Sequence, residues 1–165
     1  MPICLLVILV SGCGSVSHQA QFETTYVSKA DTRIEVGPVT NETGKTVDVD
    51  IPKMFTDALT EQLTDDHLLW SGGSHDVDHL VITTKIIDYD EGDAFKRWLL
   101  PGWGSTVLSI HCELKDSASG KLAGSVDAHR TVTFGGAYTI EAWQSIFASV
   151  AKDVVGDLRS HIQKA

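Results

Sequence analysis

Several groups of residues in this 165-residue chain have the types and spacing to do chemistry. The first is Val10-Ser11-Gly12-Cys13, which closes an uncharged apolar run from Pro2 to Val10. A peptidase that cuts ahead of a lipid-modified cysteine needs small residues at the two preceding positions and an aliphatic one further back. Gly12, Ser11 and Val10 meet that need, and the stretch reads as a bacterial lipobox. The apolar run is about 10 residues, where a bilayer-crossing helix needs roughly 20, so it has the length of a signal-peptide core. Only the starting amine puts positive charge ahead of it. The alternative is a buried apolar strand ending in Gly-Cys, which would stand at the extreme terminus with no evident partner. Lipidation would join the Cys13 sulfur to a diacylglycerol, with a third acyl chain on the new amino terminus. Two or more chains hold a protein stably on a membrane without a span.

The second group is the loop Asp90 to Gly104, in which Asp90, Glu91 and Asp93 precede Lys96-Arg97-Trp98-Leu99-Leu100-Pro101-Gly102-Trp103-Gly104. Long connections between strands are often functional. Tryptophans and leucines beside cations suit a protein partner or the headgroup zone of a membrane. Arg97, Trp98, Leu99, Leu100 and Trp103 are therefore the candidate partner-binding residues. The competing reading has Trp98 and Leu100 extending the flanking strands over the end of the core, and both stay open. His75 and His79 flank Asp76 and Asp78 at a spacing metals use, but a loop entering a strand sends alternate residues to opposite faces. The expectation there is solvated polar residues and no metal.

Ser109, His111, Asp127 and His129 offer hydrolase residue types, if a hairpin brings them together. Thr106 to Lys115 alternates, with Leu108, Ile110, Cys112 and Leu114 on one face. Leu122 to Phe134 alternates likewise, with Leu122, Val126, Ala128, Val132 and Phe134 inward. A three-residue loop Ala118-Ser119-Gly120, with Gly120 left-handed, sets Leu114 across from Gly124, Cys112 from Val126 and Ile110 from Ala128. Ser109 then faces His129 and His111 faces Asp127 on the outer side. A flat exposed face lacks a cleft, an oriented carboxylate and oxyanion donors, so cross-strand pairing is expected there and no catalytic residue is assigned.

The remaining elements must position these groups. Residues 14–30 are polar and read as a flexible tether, about 20 Å long on average. Thr32 to Val39 reads as a strand closed by a turn at Gly37-Pro38. Asp50 and Pro52 start an amphipathic helix that runs to about Asp65, with Phe55, Leu59 and Leu63 on one side. Leu68-Leu69-Trp70 is a short strand, and His79 to Asp88, apolar on both sides, is a central one. Thr139 to Ile162 carries Ile140, Trp143, Phe147, Val150, Val154, Leu158 and Ile162 at steps of three and four, a stripe made to cover a sheet. The expected fold is α+β, a mostly antiparallel four- to five-stranded sheet with two helices on one face. Its parts are a signal peptide over 1–12, lipidated Cys13 with a tether to 30, and a single domain over 31–165.

Composition narrows the function classes. The net charge of −9 does not change when residues 1–12 are removed, since they hold no charged side chain. An acidic domain is ill suited to nucleic acid or to anionic lipid. Cys4 leaves with the signal and Cys13 is acylated, so Cys112 stands alone, with no disulfide framework. Its place in the strand pattern makes it a buried structural thiol. No phosphate-binding loop, dinucleotide fingerprint or cofactor motif is present.

The series Ile86-Ile87-Asp88-Tyr89, Lys96-Arg97-Trp98-Leu99, Pro101-Gly102-Trp103-Gly104 and Leu114-Lys115-Asp116 through Gly120-Lys121 resembles the bacterial lipoprotein family built on domain of unknown function 4410. The Val36-Gly37-Pro38 strand end with Asn41 and Gly44 is similar to that family too, and the likeness covers about residues 30 to 162. It implies a lipoprotein of undetermined activity with no catalytic residues to carry over. Leu99, Leu100 and Pro101 depart from the family's glycine-rich loop. More distantly, the element order is similar to small α+β envelope-assembly domains such as the amino-terminal domain of the TolB translocation protein. Gly14 stands where resemblance to enterobacterial lipoproteins would put an inner-membrane retention Asp, which implies the outer membrane, facing the periplasm. The expectation is a non-enzymatic, lipid-anchored interaction or assembly module that takes an envelope protein partner. A periplasmic small-ligand carrier and an envelope hydrolase are the alternatives.

Overall fold

The computed structural model describes residues 15–24, 26–27, 31–72, 79–93, 104–132 and 142–162. Its elements are β1 (Val16–Phe22), β2 (Arg33–Asn41), α1 (Ile51–Asp65), β3 (His79–Asp90), β4 (Thr106–Asp116), β5 (Leu122–Val132) and α2 (Ala142–Ile162). The strands form one sheet in the order β1-β5-β4-β3-β2. Only β2 and β3, joined through α1, run parallel, and the other neighbours are antiparallel. The α+β class, the mostly antiparallel sheet and the two helices agree with the sequence reading.

Both helices cover the same face. Phe55, Leu59 and Leu63 of α1 and Ile146, Phe147, Val150, Val154 and Leu158 of α2 are fully buried against Leu80, Ile82, Ile86, Leu108, Ile110, Cys112, Leu114 and Val126 of the sheet. Asp50 caps α1, accepting the Lys53 amide at 3.0 Å, and Pro52 sits in the first turn, where its missing N–H costs nothing. At the other end His67 takes a left-handed φ of 57°. The Leu68 amide bonds the Leu63 carbonyl at 2.8 Å and the His67 amide bonds Thr64 at 3.0 Å, a Schellman closure built without glycine.

Four local readings change. Val16–Phe22 is not tether but strand, paired with β5 from Val16↔Arg130 to Phe22↔Gly124. Its inward side is held by Phe22, stacked on His161 at 3.5 Å, and by His18, bonded to Asp157 at 2.8 Å. β2 does not end at Gly37-Pro38. It passes through a register shift there and continues to Asn41, and an edge strand tolerates the proline because no ladder bond is lost on its free side. Leu68-Leu69-Trp70 contributes a single parallel bridge, Ile34↔Leu69. Leu122, expected inward, is 42% exposed, because a bulge between Leu114 and Lys115 pairs Lys115 with Leu122 and turns Ala123 into the core.

A second bulge, between Ile86 and Asp88 of β3, reverses the alternation near that strand's end. Ile87 is pushed out to 49% exposure and Tyr89 turns in to 1%, where its ring meets Phe147 at 5.5 Å. From Leu114 inward the hairpin register is as derived, with Leu114 facing Gly124, Cys112 facing Val126 and Ile110 facing Ala128, and Gly120 is left-handed at φ 67°. The loop itself is not the expected three residues but Ser117 to Gly120, because the Asp116 amide bonds the Lys121 carbonyl at 2.9 Å.

Candidate functional site

The outer sheet face has the opposition expected of it, with bonding that separates the hydrolase residues. Ser109 Oγ lies 2.8 Å from His129 Nδ1, and His129 Nε2 lies 3.1 Å from Thr131 Oγ1. Asp127 instead meets His111 Nδ1 at 2.7 Å. The carboxylate thus orients one histidine while the hydroxyl meets the other, so no Ser–His–Asp relay forms. The Asp127 side chain is 58% exposed, which leaves it solvated rather than desolvated as a relay carboxylate requires.

A Ser–His–carboxylate chain does occur elsewhere, and sequence reasoning missed it. Ser117 Oγ is 3.2 Å from His79 Nδ1, Glu35 Oε2 is 2.9 Å from His79 Nε2, and Trp70 stacks on the imidazole at 4.0 Å and 7°. Both ring nitrogens of His79 are engaged within this cluster. His75, Asp76 and Asp78 lie outside the described residues. The Ser117 amide also bonds the His79 carbonyl at 2.9 Å, so the cluster pins the β4–β5 turn to β2, β3 and the strand-like segment after α1. Only the parallel register Arg33↔His79, set by tertiary pairing, brings Glu35 beside His79.

Cys112 is fully buried, and its Sγ lies 3.3 Å from Thr84 Oγ1. Burial pushes its thiol up to about 12, far from the thiolate a nucleophile needs.

Cys13, Arg97, Trp98, Leu99, Leu100 and Trp103 lie outside the described residues, but the points from which they depart do not. Val16 pairs beside the carboxy end of β5, Val132 pairs with Thr106 at the start of β4, and Asp90 of β3 pairs with Val107. Asp93 and Gly104, which flank the tryptophan loop, are joined by an amide–carbonyl bond of 3.0 Å, and Thr106 Oγ1 donates to the Glu91 carbonyl at 2.8 Å. The start of β1 at Val16 and both ends of the tryptophan loop therefore meet at one end of the sheet.

A shallow cavity of about 300 Å³ opens at that same end, lined by Lys45, Thr46, Val47, Asp48, Tyr89, Asp90 and Glu91. Lys45 Nζ is held by Asp88 Oδ1 at 3.0 Å and the Tyr89 carbonyl at 3.1 Å. The Tyr89 hydroxyl is buried and bonds no described residue. Burial, with Glu91 and Asp90 nearby, pushes its phenol up to about 12, so it stays a neutral donor. The space between helices and sheet, where a deep carrier pocket would sit, is filled by core side chains.

The profile of the family described as Domain of unknown function (DUF4410) matches residues 21–136. No curated protein matches the chain. Among solved structures, the PelC dodecamer from Paraburkholderia phytofirmans is similar at 15% identity and a TM-score of 0.58, over 88% of this chain and 97% of that one. The hypothetical protein CT253 from Chlamydia trachomatis is similar at 10% identity and a TM-score of 0.53, over 81% and 99%. At these identities the likeness is one of fold.

Proposed function

Since the chain belongs to the family of Domain of unknown function DUF4410, whose description carries no activity, we propose its role from its own residues: a lipid-anchored, non-catalytic interaction module of the bacterial envelope. Cys13 takes the acyl chains, and the domain faces the periplasm from the outer membrane. Arg97, Trp98, Leu99, Leu100 and Trp103 meet an envelope protein partner. The observation that carries this reading is the convergence of the first strand and of both loop ends, Asp93 and Gly104, on one end of the sheet. Anchor and contact surface are then neighbours. Support for an assembling role comes from the fold shared with PelC, which is a dodecamer.

The small-ligand carrier is the second reading, and the shallow cavity beside Tyr89 is the observation in its favour. Its acidic lining suits a cationic or hydroxylated ligand better than an anion.

Crosslinking from positions 96–104 in intact cells, followed by identification of the captured protein, tests the leading reading. Trp98→Ala with Trp103→Ala should abolish capture while the melting temperature holds. A large loss of stability with capture retained would assign the tryptophans to the core. A Cys13→Ser protein that still partitions with membranes would remove the anchor from the reading.

A further inference from the structure

The acylation of Cys13, on which this inference rests, has a geometric consequence that a long tether would have erased. Ser15 already belongs to the sheet, its carbonyl accepting the Thr131 amide at 2.9 Å. Extended chain covers at most about 3.6 Å per residue, so Cys13 lies within roughly 7 Å of Ser15. A coil running to residue 30 would let the domain turn freely; so short a link does not. We infer that the domain docks on the bilayer surface through the end of the sheet at Val16, with Thr131, Val132, Thr106 and Glu91 the nearest to the headgroups among the described residues.

The topology determines what faces away. β4 runs from that end to the hairpin turn over 11 residues, which at about 3.4 Å per residue puts Ser117 to Gly120 roughly 35 Å farther out. The His79, Glu35 and Ser117 cluster points into the periplasm, together with the carboxy ends of both helices. The Asp93–Gly104 bond keeps both ends of the tryptophan loop on the docked side.

Among the described residues, charge does not do the orienting. Asp90, Glu91 and Asp93 crowd the docked end, while Lys45 is bonded to Asp88 and Arg130 to Asp153 at 2.8 Å. The covalent link turns the domain, and the same orientation should hold on neutral and anionic lipid.

The test uses the full-length acylated protein in phosphatidylethanolamine vesicles that carry a headgroup quencher. A fluorophore is placed on one cysteine at a time, at Thr131→Cys, Gln21→Cys or Ser119→Cys, with buried Cys112 protected from labelling. Quenching should fall from Thr131 through Gln21 to Ser119, several-fold between the extremes. It should be the same on phosphatidylcholine, on mixtures with phosphatidylglycerol and in high salt. A long glycine–serine insertion after Gly14 should flatten the gradient while the protein stays bound. Equal quenching at Gln21 and Thr131 would mean that the domain lies along β1, and a reversed gradient or one that survives the insertion would remove the link as the cause. Each of these overturns the inference with the anchor intact. Failure to bind vesicles at all, matched by Cys13→Ser, sinks the acylation and the orientation together.

Discussion

Gly124→Ala is the sharpest probe of whether Val16–Phe22 is strand or tether, because Gly124 pairs with Phe22 and a side chain there would run into β1. A Cβ on Gly124 would stand 2.7 Å from the Gln21 carbonyl oxygen and 2.7 Å from Phe22 Cδ1, and the first of these is backbone that cannot rotate away. The chain must then either separate the strands by a few tenths of an ångström or release the end of β1. Forced overpacking of this kind costs about 1–3 kcal/mol. Release would also give up the Phe22–His161 stack and the Glu23 amide bond to Ala123 at 2.9 Å. For a chain of this size a loss of 1 kcal/mol lowers Tm by about 2–4 °C, so a drop of roughly 2–12 °C is expected. Amide exchange should speed up selectively at Ala20 to Glu23, with β3 and β4 unchanged, because an edge strand can open without the rest of the sheet. Wild-type melting and wild-type protection of these amides in Gly124→Ala would refute the close approach. Exchange of residues 16–22 at unstructured rates in the wild-type protein would refute the strand itself.

Other outcomes follow from single features. His67→Gly relieves a left-handed φ of 57° at an exposed helix end, and should stabilise by roughly 0.5–1 kcal/mol in denaturant titration after the greater freedom of unfolded glycine is set against it. Cys112 ionises at its ordinary 9.0 in the unfolded chain and at about 12 in the fold. The stability this difference contributes is full below pH 9.0 and declines as pH rises toward 12, so Cys112→Ala should lose less stability than wild type over that window, beyond its lower starting value. The native thiol should resist iodoacetamide at pH 8 and react only on unfolding.

Periodicity was enough for α1, β3, β4, β5 and α2, since each buries a face whose apolar spacing repeats locally. It was also enough for the β4–β5 register, because a one-residue slip would have exposed half the core face. The pairs Ser109–His129 and His111–Asp127 were legible for that reason. Which atoms bond was not: that His129 turns its other nitrogen to Thr131 depends on rotamers set by neighbours. β1 was illegible because its residues are polar or small, Ser17, His18, Gln19 and Ala20, and its partner strand lies a hundred positions away in the chain. The contacts that order it, Phe22 with His161 and His18 with Asp157, come from the far end of the sequence.

The Val10-Ser11-Gly12-Cys13 spacing, the acidic charge and the α+β class belong to the sequence by itself, because each rests on residue type or local spacing. The tertiary structure decided the rest. Bulges at Ile87 and Ala123 turned Tyr89 into the core and Leu122 out of it. The pairing of β1 with β5 turned Val16–Phe22 from an expected tether into a strand. A bulge or an edge pairing has no local signature, since its free energy comes from atoms that only the folded chain brings together.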